Sequence, residues 1–181
     1  MRATSILALT AFTVSVSANR FFTCWTGGIS AGILEISNGN ATTPLALAAD
    51  GSLIASPDGS QNTFEFVPCT SKFPGPDHPG VVVTDQMVTA YGRLLGDGGC
   101  LSRDTASGKL MTKFCVEPDD ERQAQQFWTV TLNYHGDDDA TGDSTLGFVA
   151  PGFFPQLENG QVFQASSKPA STYDLRFSYS E

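Results

Sequence analysis

Basic side chains are scarce in this 181-residue chain, with 10 Lys and Arg against 19 Asp and Glu and a formal net charge of −9. Such a surface repels phosphate backbones and anionic headgroups, which argues against nucleic acid and membranes as partners. Histidine is scarcer still: there are two, His78 and His135, and neither lies near any of the four cysteines in sequence. The close Cys/His clustering of a zinc site is therefore missing, and no metal or cofactor is expected. No window of helical length shows a 3.6-residue apolar period, and the polar segment Asp119 to Gln126 is the one candidate for a helical turn. After residue 18, no apolar run approaches the ~20 residues that a membrane-spanning helix requires.

What the sequence does contain begins with a processing segment. Arg2 supplies charge, Ile6 to Val16 an apolar stretch, and Val16-Ser17-Ala18 a small-residue cleavage site before Asn19, so residues 1–18 read as a signal peptide. Residues 19–181 then form the mature chain, 163 residues, a size that suits one domain with a real core. Without Arg2 the balance is 9 basic against 19 acidic residues, a charge of −10. The product is expected to be secreted, extracellular and free of a membrane anchor.

An even number of cysteines fits an oxidising compartment. Four cysteines allow three pairings. The turn-like segment Asp104-Thr105-Ala106-Ser107-Gly108-Lys109 would return the chain as a hairpin between Cys100 and Cys115, which favours that pair and leaves Cys24 with Cys69. Asn40-Ala41-Thr42 is the single Asn-x-Ser/Thr acceptor; it predicts a surface position and, in a secreted eukaryotic protein, a glycan on Asn40.

Gly and Pro account for 28 of the 181 residues, and turn formers separate brief apolar runs. Short strands and many turns follow, so the fold class expected is all-β. A faint internal repeat runs through them. Leu34 leads to Phe64, Leu101 to Trp128 and Leu146 to Leu175 over 27 to 30 residues. Each closing residue is followed two positions later by another apolar side chain, Phe66, Val130 or Phe177, on the same strand face. Three such units suit a closed β-trefoil, with Phe64, Trp128 and Leu175 in its core; a two-sheet sandwich is the alternative. Thr70 to Met87, rich in Pro and Gly, reads as a long surface loop.

Cys100-Leu101, Cys115 and Gln126-Phe127-Trp128 stand in the order and approximate spacing of one repeat of the ricin B-type lectins, and the chain resembles that family over residues 91 to 132. It also resembles small secreted fungal proteins with divergent domains of this kind. The resemblance implies a disulfide-stapled β-trefoil that binds carbohydrate or glycoprotein. Members typically carry an Asp two residues after the first cysteine, an aromatic two residues before the second, and Asn plus Gln at the last motif. Here those positions hold Ser102, Lys113, Gln125 and Gln126. A carboxylate accepts sugar hydroxyls in charge-assisted bonds and a ring covers the apolar sugar face, and Ser and Lys do neither. Asp104 and Phe114 lie nearby but off register. The candidate sugar-binding residues are therefore Asp104, Gln125 and Gln126 at a non-standard site. Phe73, Phe153, Phe154 and Tyr134 are further loop aromatics.

Enzymatic motifs are incomplete, and the protein reads as a non-enzyme. Gly28-Ile29-Ser30-Ala31-Gly32 spells a nucleophile elbow without its following helix. Asp137 to Gly142 starts like a calcium loop, but Phe148 stands where the bidentate Glu belongs. Asp119, Asp120 and Glu121 resemble a polar connection more than a glycosidase pair. Besides sugar binding, two readings stay open: a trefoil protease inhibitor acting through Thr70 to Met87, and a secreted surface or matrix protein without a small ligand.

Overall fold

Phe64 and Phe66, Trp128 and Val130, and Leu175 and Phe177 are spaced two apart, and all six side chains are buried in one interior. Alternation at that period puts both members of each pair on the same face of a strand. The strands they occupy belong to a chain of fourteen, seen in a computed structural model that describes residues 23–25, 29–56, 58–72, 80–84, 87–133, 144–148, 154–165, 167 and 173–179. The first five are Thr23–Cys24 (β1), Ile29–Ser37 (β2), Thr42–Leu47 (β3), Leu53–Ala55 (β4) and Thr63–Thr70 (β5). Val81–Val83 (β6), Met87–Gly96 (β7), Gly99–Arg103 (β8) and Leu110–Lys113 (β9) follow, and then a 3-10 turn at Glu121–Gln125. Trp128–Asn133 (β10), Ser144–Phe148 (β11), Pro155–Glu158 (β12), Gln161–Gln164 (β13) and Asp174–Tyr179 (β14) complete the chain.

Six of these strands close on themselves. β2, β5, β7, β10, β11 and β14 pair in that order, always antiparallel, and β14 returns to β2. A closed ring leaves no unpaired edge among its members. Phe66 stands opposite Leu94, Val130 opposite Leu146, and Phe177 opposite Leu34. Leu94, not Leu101, is therefore the residue that faces an apolar partner on the neighbouring barrel strand as Leu34 and Leu146 do. Leu101 lies beyond the turn at Asp97 and Gly98, in β8, where it is fully buried outside the barrel wall. Gly98 makes that turn with a φ of +90°, a conformation that side chains with a Cβ rarely adopt.

Three hairpins, β3–β4, β8–β9 and β12–β13, form a trefoil-like cap on the barrel. Each lies in the chain between two barrel strands, and the three touch one another in turn. Ile54 pairs with Gln161, Ser52 bridges Met111, and Lys109 bridges Phe163. Leu45, Leu53, Leu101, Leu110 and Val162 extend the barrel core into this cap.

The two disulfides join Cys24 to Cys69 and Cys100 to Cys115. The first ties β1 to β5, and around it Val67, Phe127, Tyr91 and Leu95 make a second apolar layer outside the barrel. Val67 and Cys69 are buried there, so the far half of β5 loses its alternation of buried and exposed side chains. The expected loop from Thr70 to Met87 is not loop throughout, because β6 lies within it and pairs with β7. Residues 73–79 and 85–86 of that segment lie outside the described residues, as do the expected signal peptide and the run Asp137 to Gly142.

Candidate functional site

The most informative surface lies where the β8–β9 hairpin meets the connection to the 3-10 turn. Asp104 opens the hairpin turn and holds its shape: one carboxylate oxygen accepts from the Ser107 amide at 2.9 Å and from its hydroxyl at 2.5 Å. The other accepts from the Lys113 ammonium at 2.6 Å. Lys113, and after it Ser107, hold this carboxyl well below the usual carboxylate range. Asp104 is thereby committed to hairpin structure.

Beyond β9 the chain runs extended through Phe114, Cys115 and Val116, and buried polar side chains pin it from below. Gln126 Nε2 donates to the Phe114 carbonyl at 2.8 Å, and the Val116 amide donates to Gln126 Oε1 at 2.8 Å. One amide side chain thus holds the peptide groups on both sides of the half-cystine Cys115. Gln123, fully buried, donates to the carbonyls of Val116 at 2.6 Å and Pro118 at 3.0 Å. Arg93 also donates to the Val116 carbonyl. Burial lowers the Arg93 pKa to about 10, opposed by the charge of Glu117, which leaves it cationic at neutral pH. Asp120 caps the 3-10 turn by accepting from the Arg122 amide at 3.0 Å and pairs with the Arg122 guanidinium at 2.5 Å.

This scaffold presents a ring. Phe114 is 94% exposed, although a phenylalanine free of other demands is usually found inside. Its backbone is fixed by Gln126 and the adjoining disulfide, so the ring stands on a rigid base. It borders an open groove of about 670 Å³ whose walls also include Ser102, Arg103, Thr105, Lys113, Arg122 and Gln125. Two groove residues carry buried polar atoms with no hydrogen-bond partner among the described residues, Arg103 Nε and Gln125 Oε1. Unpaired buried groups of this kind are uncommon, because each forfeits its bonds to water without replacement.

Of the three residues expected to bind sugar, Gln125 and Gln126 line the groove and Asp104 stands behind it through Lys113. Both polar atoms of the Gln126 amide are engaged by backbone. Ser102 lines the groove but turns its hydroxyl to the Cys100 carbonyl at 2.9 Å. Sequence reasoning missed Arg103 and Arg122 and set Phe114 aside as one residue out of register. That objection holds only inside a pleated strand, and β9 ends at Lys113. Its signal was an apolar ring directly before Cys115, where the chain has left the sheet.

Other candidates fall elsewhere. Trp128, Phe64 and Leu175 are fully buried in the core. Asn40 is exposed in the β2–β3 turn, where its amide and that of Ala41 donate to Asn38 Oδ1 at 3.0 and 2.9 Å. Residues 29–37 form a strand where a nucleophile elbow needs a helix. Asp119 accepts from the Ser71 hydroxyl at 2.5 Å and the Lys72 amide at 2.9 Å, fastening the residues after β5 to the turn region. Phe154 is half-buried, while Phe73, Phe153, Tyr134, His78, His135 and Gly28 lie outside the described residues.

Comparison with protein-family models, with curated proteins and with solved structures finds no match.

Proposed function

We propose that this chain is a secreted lectin-like β-trefoil, a binding protein and not a catalyst, that takes carbohydrate in the groove beside Phe114. The observation that carries the reading is the ring itself, nearly fully exposed on a backbone held by Gln126 and the Cys100–Cys115 bridge. A pre-positioned aromatic face covers the apolar side of a sugar ring with little ordering cost. Gln125 and Thr105, both on the groove wall, carry amide and hydroxyl groups of the kind a sugar needs. The platform thus stands one residue later than in ricin B-type repeats, and no Asp replaces Ser102.

The trefoil assignment is supported by the six-strand barrel, the three cap hairpins and the matching pairs Phe66 with Leu94, Val130 with Leu146 and Phe177 with Leu34. Export is supported by two disulfides, which persist in oxidising compartments. A glycan on exposed Asn40 belongs to the same reading. In a eukaryotic secretion host it gives a mobility shift on deglycosylation that Asn40→Gln abolishes.

A glycan array followed by calorimetry on the bound sugars tests the proposal. Binding should fall at least about tenfold in Phe114→Ala, in line with the loss of an aromatic contact, with thermal stability unchanged because the ring is exposed. An array that stays blank at high protein concentration, or binding indifferent to Phe114, overturns it.

A further inference from the structure

Charge in the groove is arranged unlike that of the protein as a whole. The chain carries 10 basic and 19 acidic residues, yet Arg103, Lys113 and Arg122 all line this one depression. Two of the three are neutralised from outside the groove wall. Lys113 pairs with Asp104 and Arg122 with Asp120, and neither carboxylate is a wall residue. Arg103 has no ion pair among the described residues, and its Nε is buried without a partner. A guanidinium on a groove wall without a counter-charge is a ready partner for a ligand anion, which takes charge-assisted bonds from its terminal nitrogens.

Gln125 adds a complementary demand. Its side-chain amide, on the same wall, is of a type that both donates to and accepts from hydroxyls. An anionic acceptor for Arg103, hydroxyl donors for Gln125 and an apolar face for Phe114 occur together in one class of molecule. We infer that the groove selects acidic saccharides, sugars bearing a carboxylate or a sulfate, with Arg103 as the residue that reads the charge. This rests on the carbohydrate reading above and deepens it. The remaining acidic surface opposes long polyanions, so short or sparsely charged oligosaccharides are the ligands favoured.

Matched pairs of probes test the charge separately from the sugar. Titrate the intact protein with trigalacturonic acid and its methyl ester, and with a sulfated galactan trisaccharide and its desulfated form. Inorganic sulfate serves as a competitor. At least one acidic member should bind about tenfold or more tightly than its neutral counterpart, as a guanidinium–anion contact allows, and the pair that responds tells carboxylate from sulfate. Arg103→Gln should erase that preference, bringing the acidic and neutral members to equal affinity, and Arg103→Lys should keep part of it. The melting temperatures of both variants establish that they fold.

Equal binding of acidic and neutral members, or a preference that survives Arg103→Gln, overturns the charge inference and leaves the lectin reading standing. Inorganic sulfate that binds as tightly as the acidic saccharide overturns it as well, since an anion site alone is then sufficient. No binding of any saccharide overturns both.

Discussion

Trp128 Nε1 donates to the carbonyl oxygen of Leu101 at 2.9 Å, a buried bond between residues 27 positions apart. It joins barrel strand β10 to cap strand β8 and gives the Gln-x-Trp motif a physical role: Gln126 holds the loop that carries Phe114, and two residues later Trp128 holds the strand that carries Arg103. The groove is thereby built from below by one short segment.

Trp128→Phe removes that bond and part of the core volume while keeping an aromatic ring. A buried hydrogen bond and a small cavity together imply a loss of about 1–3 kcal/mol. Chemical denaturation should show a lower midpoint at unchanged slope, and an unchanged midpoint contradicts the role given to the indole.

Gln126 separates acceptor from donor. Gln126→Glu keeps an oxygen for the Val116 amide, but an ionised carboxylate has no proton for the Phe114 carbonyl. Both Gln126→Glu and Gln126→Ala should lose about 1–3 kcal/mol, and both should weaken sugar binding by loosening the base of Phe114. Amide hydrogen exchange at Cys115 and Val116 reads the loosening directly, and unchanged protection there refutes it.

The Asp104 carboxyl is held below its ordinary value of 3.8 by Lys113 and Ser107. A depressed folded pKa contributes stability above the ordinary value, and that contribution disappears as pH falls through the folded one. The melting temperature of the native protein should therefore exceed that of Asp104→Asn by a constant amount near neutrality. The difference should shrink below about pH 4, the unfolded carboxylate range. A gap that widens in acid contradicts the assignment.

Replacing Cys100 and Cys115 together by Ala opens a loop of 15 residues, for which chain entropy implies a loss of about 3 kcal/mol. Because the bridge also anchors Phe114, sugar affinity should fall with stability. Opening the Cys24–Cys69 bridge, which lies in the other apolar layer, should cost stability and leave affinity in the folded fraction unchanged. Isothermal titration of both variants below their melting temperatures distinguishes the two.

Much was legible in the residues themselves. Period-two apolar pairs such as Phe64 and Phe66 mark barrel strands because a strand sends alternate side chains to one side. The segment from Asp104 to Lys109 announced a hairpin and with it the Cys100–Cys115 pairing, since Asp, Ser and Gly are turn formers for local reasons. Leu101 shows the limit of such reading: apolar and correctly spaced, it satisfies the pattern of a barrel strand, and only the turn at Gly98 puts it in the cap.

What sequence alone determined was local: the all-β class, a short polar turn within Asp119 to Gln126 and the place of Trp128 in the core. Tertiary structure decided the rest. That Phe114 is exposed, that Arg103 lacks a counter-charge among the described residues while Lys113 and Arg122 have theirs, and that these side chains share one groove are consequences of bringing the β8–β9 hairpin and the 3-10 turn together. Burial and ion pairing depend on neighbours distant in the chain, and no local pattern of residue types encodes them.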